Sequence, residues 1–168
     1  AATTLDTPLI ETHSSQPRVI EAPRNLGYGG GVNLGVRNSM AETVVIMDSD
    51  LQVTPKWLSP LLGTIEQQKA TIAAPLYLDG SGNIIESGAS ITADGHVHES
   101  RLSNVALKPV DHVSAACWAF NKQWFEAMGG FDPTYGLGYY EDVDLVNAAR
   151  SRNKRVVVVN DSRVIHHT

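Results

Sequence analysis

The apolar positions of this chain fall into short blocks of two kinds. Residues 43–47, Thr-Val-Val-Ile-Met, form an unbroken β-branched and apolar run, which suits a strand buried on both faces, as in a parallel sheet. Residues 71–78 and 113–120 have the same character. Residues 155–159 predict another strand, and Val164 and Ile165 lead to His166 and His167. Residues 18–22 read as a further short strand, stopped by Pro23. Between these runs the period becomes helical. Val32, Val36 and Met40 are helically spaced over residues 32–40, and Leu58, Leu61, Leu62 and Ile65 line one face of a helix opened by Pro55. Residues 122–128 predict a short helix ended by Gly129 and Gly130, and residues 143–151 another. Asp79-Gly80, Ser81-Gly82 and Asp94-Gly95 punctuate residues 79–98 and predict hairpins. Residues 1–16 are polar and aperiodic and read as loop. Strands alternating with helices predict an α/β domain with a partly parallel sheet. No repeat or linker divides residues 1–168, so one domain is expected.

Composition narrows the function classes. The chain is 42% hydrophobic and 18% charged, which argues against intrinsic disorder. Lys and Arg number 13 against 18 Asp and Glu, a formal charge of −5. That acidic balance argues against a nucleic-acid partner held by phosphate neutralisation. The single cysteine, Cys117, can form no internal disulfide and fits a reducing, cytoplasmic setting. No apolar run approaches the roughly 18 residues of a membrane span, and no stretch reads as a signal peptide.

Three segments carry candidate chemistry. Asp48-Ser49-Asp50 follows the most apolar strand, and ligands in open α/β sheets bind beyond the carboxyl ends of strands. Two carboxylates so placed can hold a hard divalent cation, although the same tripeptide is also an ordinary solvated turn. Gly27, Gly29, Gly30 and Gly31 precede a helix, where backbone amides favour an anion. They match neither a dinucleotide fingerprint nor a P-loop, and a plain turn explains them equally well. Glu141, Asp142 and Asp144 open a helix, where acidic residues offset the helix dipole without further function. Asp142, however, shares a face with Leu145, Val146 and Ala149, so its carboxylate points inward and is a general-base candidate. The aromatic loop before it, with Tyr139 and Tyr140, is placed to touch a substrate. His166 at a strand end can complete a metal site; His96 and His98 read as exposed hairpin residues, and His13 and His112 carry no motif. Cys117 and Trp118 read as core.

The ordered set Asn25-Leu26-Gly27-Tyr28-Gly29-Gly30-Gly31-Val32-Asn33, Ile46-Met47-Asp48-Ser49-Asp50, Gly129-Gly130-Phe131-Asp132, Tyr140-Glu141-Asp142-Val143-Asp144-Leu145 and Val164-Ile165-His166-His167 resembles family 2 glycosyltransferases, near their rhamnosyltransferase-like branch. The resemblance covers roughly residues 18–168 and rests on five motifs in order rather than on any one of them. It implies a GT-A fold, a three-layer α/β/α sandwich with a mixed, mostly parallel sheet. It also implies an inverting displacement from a nucleotide-sugar donor, with Mg²⁺ or Mn²⁺ as cofactor. Carried over by position, Asp50 and His166 hold the metal, and Asp48 meets the donor nucleoside. Asn25, Gly27 and Asn33 border the donor site. Asp142 is the base, with Glu141, Tyr140 and Gly130 on the acceptor side.

The family also opens with a strand, a helix and a second strand, and nothing of that kind precedes Arg18. Either the domain is N-terminally truncated, an excised portion of a larger enzyme, or its core is remodelled; strands missing from the sheet would expose apolar edges, which favours homo-oligomers or aggregation. The expected acceptor is a glycan or a lipid-linked sugar, with peripheral membrane association of the full-length enzyme. The alternative is a non-catalytic domain that binds nucleotide-sugar or glycan, or an inactive fragment of such an enzyme. A nucleotidyltransferase is a third reading, but it would need a basic glycine-rich loop near the N-terminus that the chain lacks.

Overall fold

The structure, a computed structural model, describes residues 18–102 and 104–167. Helix α1 (Gly27–Asn38) leads to strands β1 (Thr43–Met47) and β2 (Leu51–Val53), then α2 (Leu58–Glu66) and β3 (Ile72–Leu78). Four short strands follow: β4 (Ile84–Glu86), β5 (Ala89–Ile91), β6 (Val97–Glu99) and β7 (Leu107–Pro109). The chain closes with β8 (Cys117–Asn121), α3 (Lys122–Ala127), α4 (Glu141–Arg150) and β9 (Val156–His166).

One sheet has the order β1-β8-β3-β9-β2, with β4 added to β3 and β7 to β9; β5 and β6 form a separate hairpin. The sheet is mixed, as expected. β1, β3 and β9 point the same way, but β8 runs against both β1 and β3. The expectation of a mostly parallel sheet is corrected accordingly. β3–β9 is the single parallel ladder among the described pairings, because β8 returns between β1 and β3 and makes both of its ladders antiparallel.

The core lies on the central strands. In β3, Ile72, Ala73, Ala74, Leu76 and Tyr77 are all buried, and so are Cys117 to Phe120 in β8 and Val156 to Val159 in β9. Each large apolar side chain taken from water there stabilises the fold by about 1.5–3 kcal/mol. The helices cover the sheet by placing apolar faces on it. Leu61 and Ile65 of α2, Phe125 of α3, and Leu145, Val146 and Ala149 of α4 are buried. Phe120 stacks on Phe125 at 4.7 Å, and Phe131 meets Phe125 edge-on at 5.4 Å.

Several local expectations change. The predicted glycine turn is instead the first part of α1, because the glycines let that helix pack closely. A Cβ on Gly29 would lie 2.9 Å from Phe131 Cβ. The helix ends at Asn38 and leaves Met40 96% exposed. Pro55 sits in a turn before α2 rather than in its first position. Residues 18–22 form no strand, since no described strand pairs with them. The two expected strands near the C-terminus are one, β9. Its register against β3 slips between Pro75 and Leu76, where Val159 and Arg163 become successive partners. The intervening residues interrupt the apolar run, and that interruption made one strand look like two.

Candidate active site

Strand register assembles the acidic cluster. β1 ends at Met47, and the Asp48 amide continues its ladder by donating to Ala116 O at 2.8 Å. The chain then turns through Ser49 and Asp50 into β2, which pairs antiparallel with the end of β9, Leu51 opposite His166. This pairing delivers the histidine: His167 N donates to Asp50 O at 3.0 Å, and His166 Nε2 lies 3.5 Å from Asp50 Oδ2. One ligand atom from each of Asp48, Asp50 and His166 lies within 4.8 Å of the others. Two hard carboxylates and an imidazole suit Mg²⁺ or Mn²⁺. Burial, then the neighbouring Asp50 charge, pushes the Asp48 carboxyl up to about 6, with Asp142 and Glu141 adding smaller increments and His166 opposing them. Carboxylates held this close repel one another, and a bound cation would relieve that repulsion.

The second half of the site is built around α4. Tyr139 and Tyr140 both take left-handed backbone conformations, with φ of 77° and 72°, and are exposed. The chain turns sharply there, and α4 starts at once with Glu141 and Asp142. Asp142 points inward, as its helical face predicts. Its Oδ2 accepts from Ala115 N at 3.2 Å and its Oδ1 from Val143 N at 2.8 Å. Glu141 is 4% exposed, and its Oε2 has no hydrogen-bond partner. Tyr28 of α1 reaches across to donate its hydroxyl to Ala115 O at 2.5 Å. Burial and the charges of Asp48, Asp142 and Glu141 hold that phenol protonated, far above its usual range. These groups line one open cleft of about 600 Å³. Asp48, Tyr140, Glu141 and Asp142 all face it, with Tyr28, Glu99, His112 and Ser114. Asp48 therefore belongs both to the cation cluster and to the cleft that holds Asp142.

Other site expectations fall elsewhere in the fold. Asn25 is exposed, and its Oδ1 accepts from Gly27 N at 2.9 Å. Gly27, at φ 72°, is crossed by the loop before α4: a Cβ there would lie 2.2 Å from Gly136 O. Asn33 uses both ends of its amide on Phe131, donating to its carbonyl at 2.7 Å and accepting from its N–H at 2.9 Å. With Gly130 it lines a separate depression with Val36 and Phe125, not the cleft. None of Asn25, Gly27 and Asn33 lines the cleft. His96 lies 3.7 Å from Asp94 at an exposed turn and joins no cation cluster among the described residues. His13 lies outside the described residues.

Sequence reasoning missed Tyr28, His112 and Glu99. Tyr28 was hidden inside a glycine motif. His112 and Glu99 reach the cleft only because the β5–β6 hairpin folds back beside the segment before β8, through reciprocal backbone bonds between Ala89 and His112. No described helix is long and apolar enough to cross a membrane.

The fold has counterparts. Agl10 of Haloferax volcanii, a low-salt glycan biosynthesis hexosyltransferase, is 28% identical over 145 residues, covering 80% of this chain and 46% of that protein. The O-antigen biosynthesis protein RfbC of Myxococcus xanthus is 24% identical over 148 residues, covering 80% of this chain and 12% of that protein. The chain thus spans less than half the length of these relatives. A crystal structure of GalNAc-T7 with UDP, GalNAc and Mn²⁺ matches with a TM-score of 0.73 at 15% identity, over 86% of this chain and 31% of that one. The shared fold is GT-A, with a mixed sheet flanked by helices. The sequence profile of glycosyl transferase family 2 matches residues 7–129, which carry the Asp48–Asp50 turn and the core strands β1, β3 and β8. By that match over most of its length, the chain belongs to glycosyl transferase family 2.

Proposed function

We propose that this domain transfers a sugar, with inversion, from a nucleotide-sugar donor to a hydroxyl of a glycan or lipid-linked acceptor, and that it needs Mg²⁺ or Mn²⁺. One observation carries the reading: Asp48, a member of the Asp48, Asp50 and His166 cluster, lines the same cleft as the inward Asp142. Asp50 and His166 would hold the cation, and Asp48 would face both the cation and the donor. When bound, the cation offsets the charge that develops on the departing diphosphate. Asp142 takes the proton of the acceptor hydroxyl as that oxygen attacks the anomeric carbon. The bond from that carbon to the diphosphate oxygen breaks, and its electron pair leaves with the nucleotide. Ala115 N and Val143 N orient the Asp142 carboxylate for this step. Tyr139 and Tyr140, exposed at the cleft mouth, offer faces on which an acceptor sugar can stack. The relatives' roles in glycan and O-antigen biosynthesis support a polysaccharide product.

The test is calorimetric titration with UDP, dTDP and GDP, each with and without Mn²⁺. The expected result is metal-dependent binding of one nucleotide, abolished in Asp50→Ala. Asp142→Asn should keep that binding and lose transfer by about 10²-fold or more. Wild-type transfer by Asp142→Asn would remove the base assignment. Nucleotide binding by a wild-type protein that transfers no sugar would make the domain a nucleotide-sugar binding module instead.

A further inference from the structure

His112 faces the cleft without belonging to any of the family motifs carried by this chain. Its Nε2 lies 3.8 Å from Asp142 Oδ2, and the two side chains are only 10% and 19% exposed. Its Nδ1 is buried and has no hydrogen-bond partner. A buried polar atom left unpaired costs about 1–3 kcal/mol, so an apolar residue would suit a purely structural position better. The backbone of His112 is fixed from the far side: its N–H donates to Ala89 O at 3.1 Å, and its carbonyl accepts from Ala89 N at 2.6 Å. The ring is therefore held against the carboxylate by the β5 strand, independently of α4. Asp142 in turn has one bond from Ala115, three residues beyond His112, and one from its own helix start.

We propose that His112 is a positioning residue for Asp142, presenting its Nε2 to the Oδ2 carboxylate oxygen so that the pair, not the carboxylate alone, sets the state of the general base. The proposal rests on the reading of Asp142 as that base. In the neutral ring, with Nδ1 unpaired, the proton belongs on Nε2, where it faces the carboxylate. During transfer the acceptor O–H bond breaks, its proton goes to Asp142, and its electron pair forms the new glycosidic bond. If the ring is already an imidazolium, it stabilises the Asp142 anion and weakens it as a proton acceptor. Activity should therefore fall on the acid side as His112 is protonated. Two opposing influences act on the ring: burial lowers its pKa, whereas the charges of Asp142 on α4 and Glu99 on β6 raise it. Asp48 and Glu141 face the same cleft, and the Arg150–Asp111 ion pair, at 2.5 Å, sits beside it in sequence.

The experiment follows the His112 ring by NMR titration in ¹³C-histidine-labelled wild-type protein and in Asp142→Asn. Loss of the carboxylate charge should lower the His112 midpoint by about one pH unit. An unchanged midpoint would overturn the pairing, and this reading does not depend on activity. The second measurement is the pH profile of kcat/KM. His112→Gln keeps an N–H donor and cannot titrate, so its acid limb should move to lower pH with near-wild-type turnover at the optimum. His112→Phe should lose about tenfold in kcat with donor KM unchanged. Acid limbs identical to wild type in both variants would overturn the proposal. If His112→Phe fails to fold, the two remaining variants decide. Full transfer by Asp142→Asn with a shifted His112 midpoint would refute the base assignment while leaving the pair itself intact.

Discussion

Gly27→Ala tests how the fold carries the loop that ends in Asp142. Gly27 has φ 72°, and the backbone of Gly136 and Leu137 lies directly against it. An alanine Cβ would sit 2.2 Å from Gly136 O and 2.8 Å from Leu137 Cα. Both are backbone atoms, so no side-chain rotation relieves the clash. Holding alanine in the left-handed region costs about 1–2 kcal/mol. Overpacking against a fixed neighbour adds about 1–3 kcal/mol. The reduced freedom of the unfolded chain returns only about 0.4–1 kcal/mol, so strain wins and the net loss is about 2–4 kcal/mol. The loop must also retreat by about 1 Å to reach normal contact distance. That retreat breaks the bond from Tyr28 N to Leu137 O at 2.9 Å and carries Tyr139, Tyr140 and the start of α4 with it. A misplacement of that size is enough to cost about 10²-fold in rate. Denaturant unfolding reads the stability, and sugar transfer reads the geometry. Metal-dependent nucleotide titration is the control, because Asp50 and His166 are brought together by the β2–β9 ladder, in which neither Gly27 nor the Gly136–Leu137 backbone takes part. Stability within about 0.5 kcal/mol of wild type together with an unchanged kcat/KM would refute the reasoning, since that is the range of an inconsequential surface change.

Asn33→Ala should destabilise the protein by about 1–3 kcal/mol in urea unfolding, because it strands the Phe131 N–H and carbonyl in a partly buried position; if Asn33 acts through packing alone nucleotide affinity should be unchanged, whereas a selective loss of affinity would support Asn33 as a donor-site residue. The metal-free protein should lose thermal stability as pH rises from about 4 to about 7. Asp48 and Glu86 keep their protons in the fold up to about 6 and about 7, whereas the unfolded chain ionises first and so binds fewer protons over that interval. Glu86→Gln should flatten part of that decline, and Mn²⁺ should stabilise more at pH 7.5 than at pH 5; melting curves that rise with pH would contradict the sign. Tyr139→Ala and Tyr140→Ala should leave stability within about 0.5 kcal/mol, since both rings are exposed, and should raise acceptor KM while sparing donor KM; the reverse pattern in steady-state kinetics would move these rings to the donor side.

Much of the site was legible before folding because its signals are local. An apolar strand that ends in Asp48 and Asp50 can be read from adjacent residues, as strand burial and turn chemistry act within a few positions. The inward direction of Asp142 follows from helical spacing alone, and the bond from Ala115 N to its carboxylate agrees with it. The glycine segment misled because glycine serves turns, anion sites and close helix packing alike. Only the position of Phe131 and the Gly136–Leu137 backbone shows that here it serves packing. Pro55 misled for a similar reason, since its fixed φ suits a turn as well as a helix start.

By itself the sequence determined the α/β class, the strand and helix content of the central core, and the two acidic segments to which the chemistry is assigned by proposal. These follow from periodicity and from residue type, which are properties of neighbours along the chain. Tertiary structure decided the rest. It inserted β8 antiparallel between β1 and β3, brought His166 to Asp50 through the β2–β9 register, and set His112 beside Asp142 through the β5 strand. Each of these joins residues far apart in the chain, and such pairings are fixed by the shared burial of one sheet and by the closure of loops whose ends no local pattern connects.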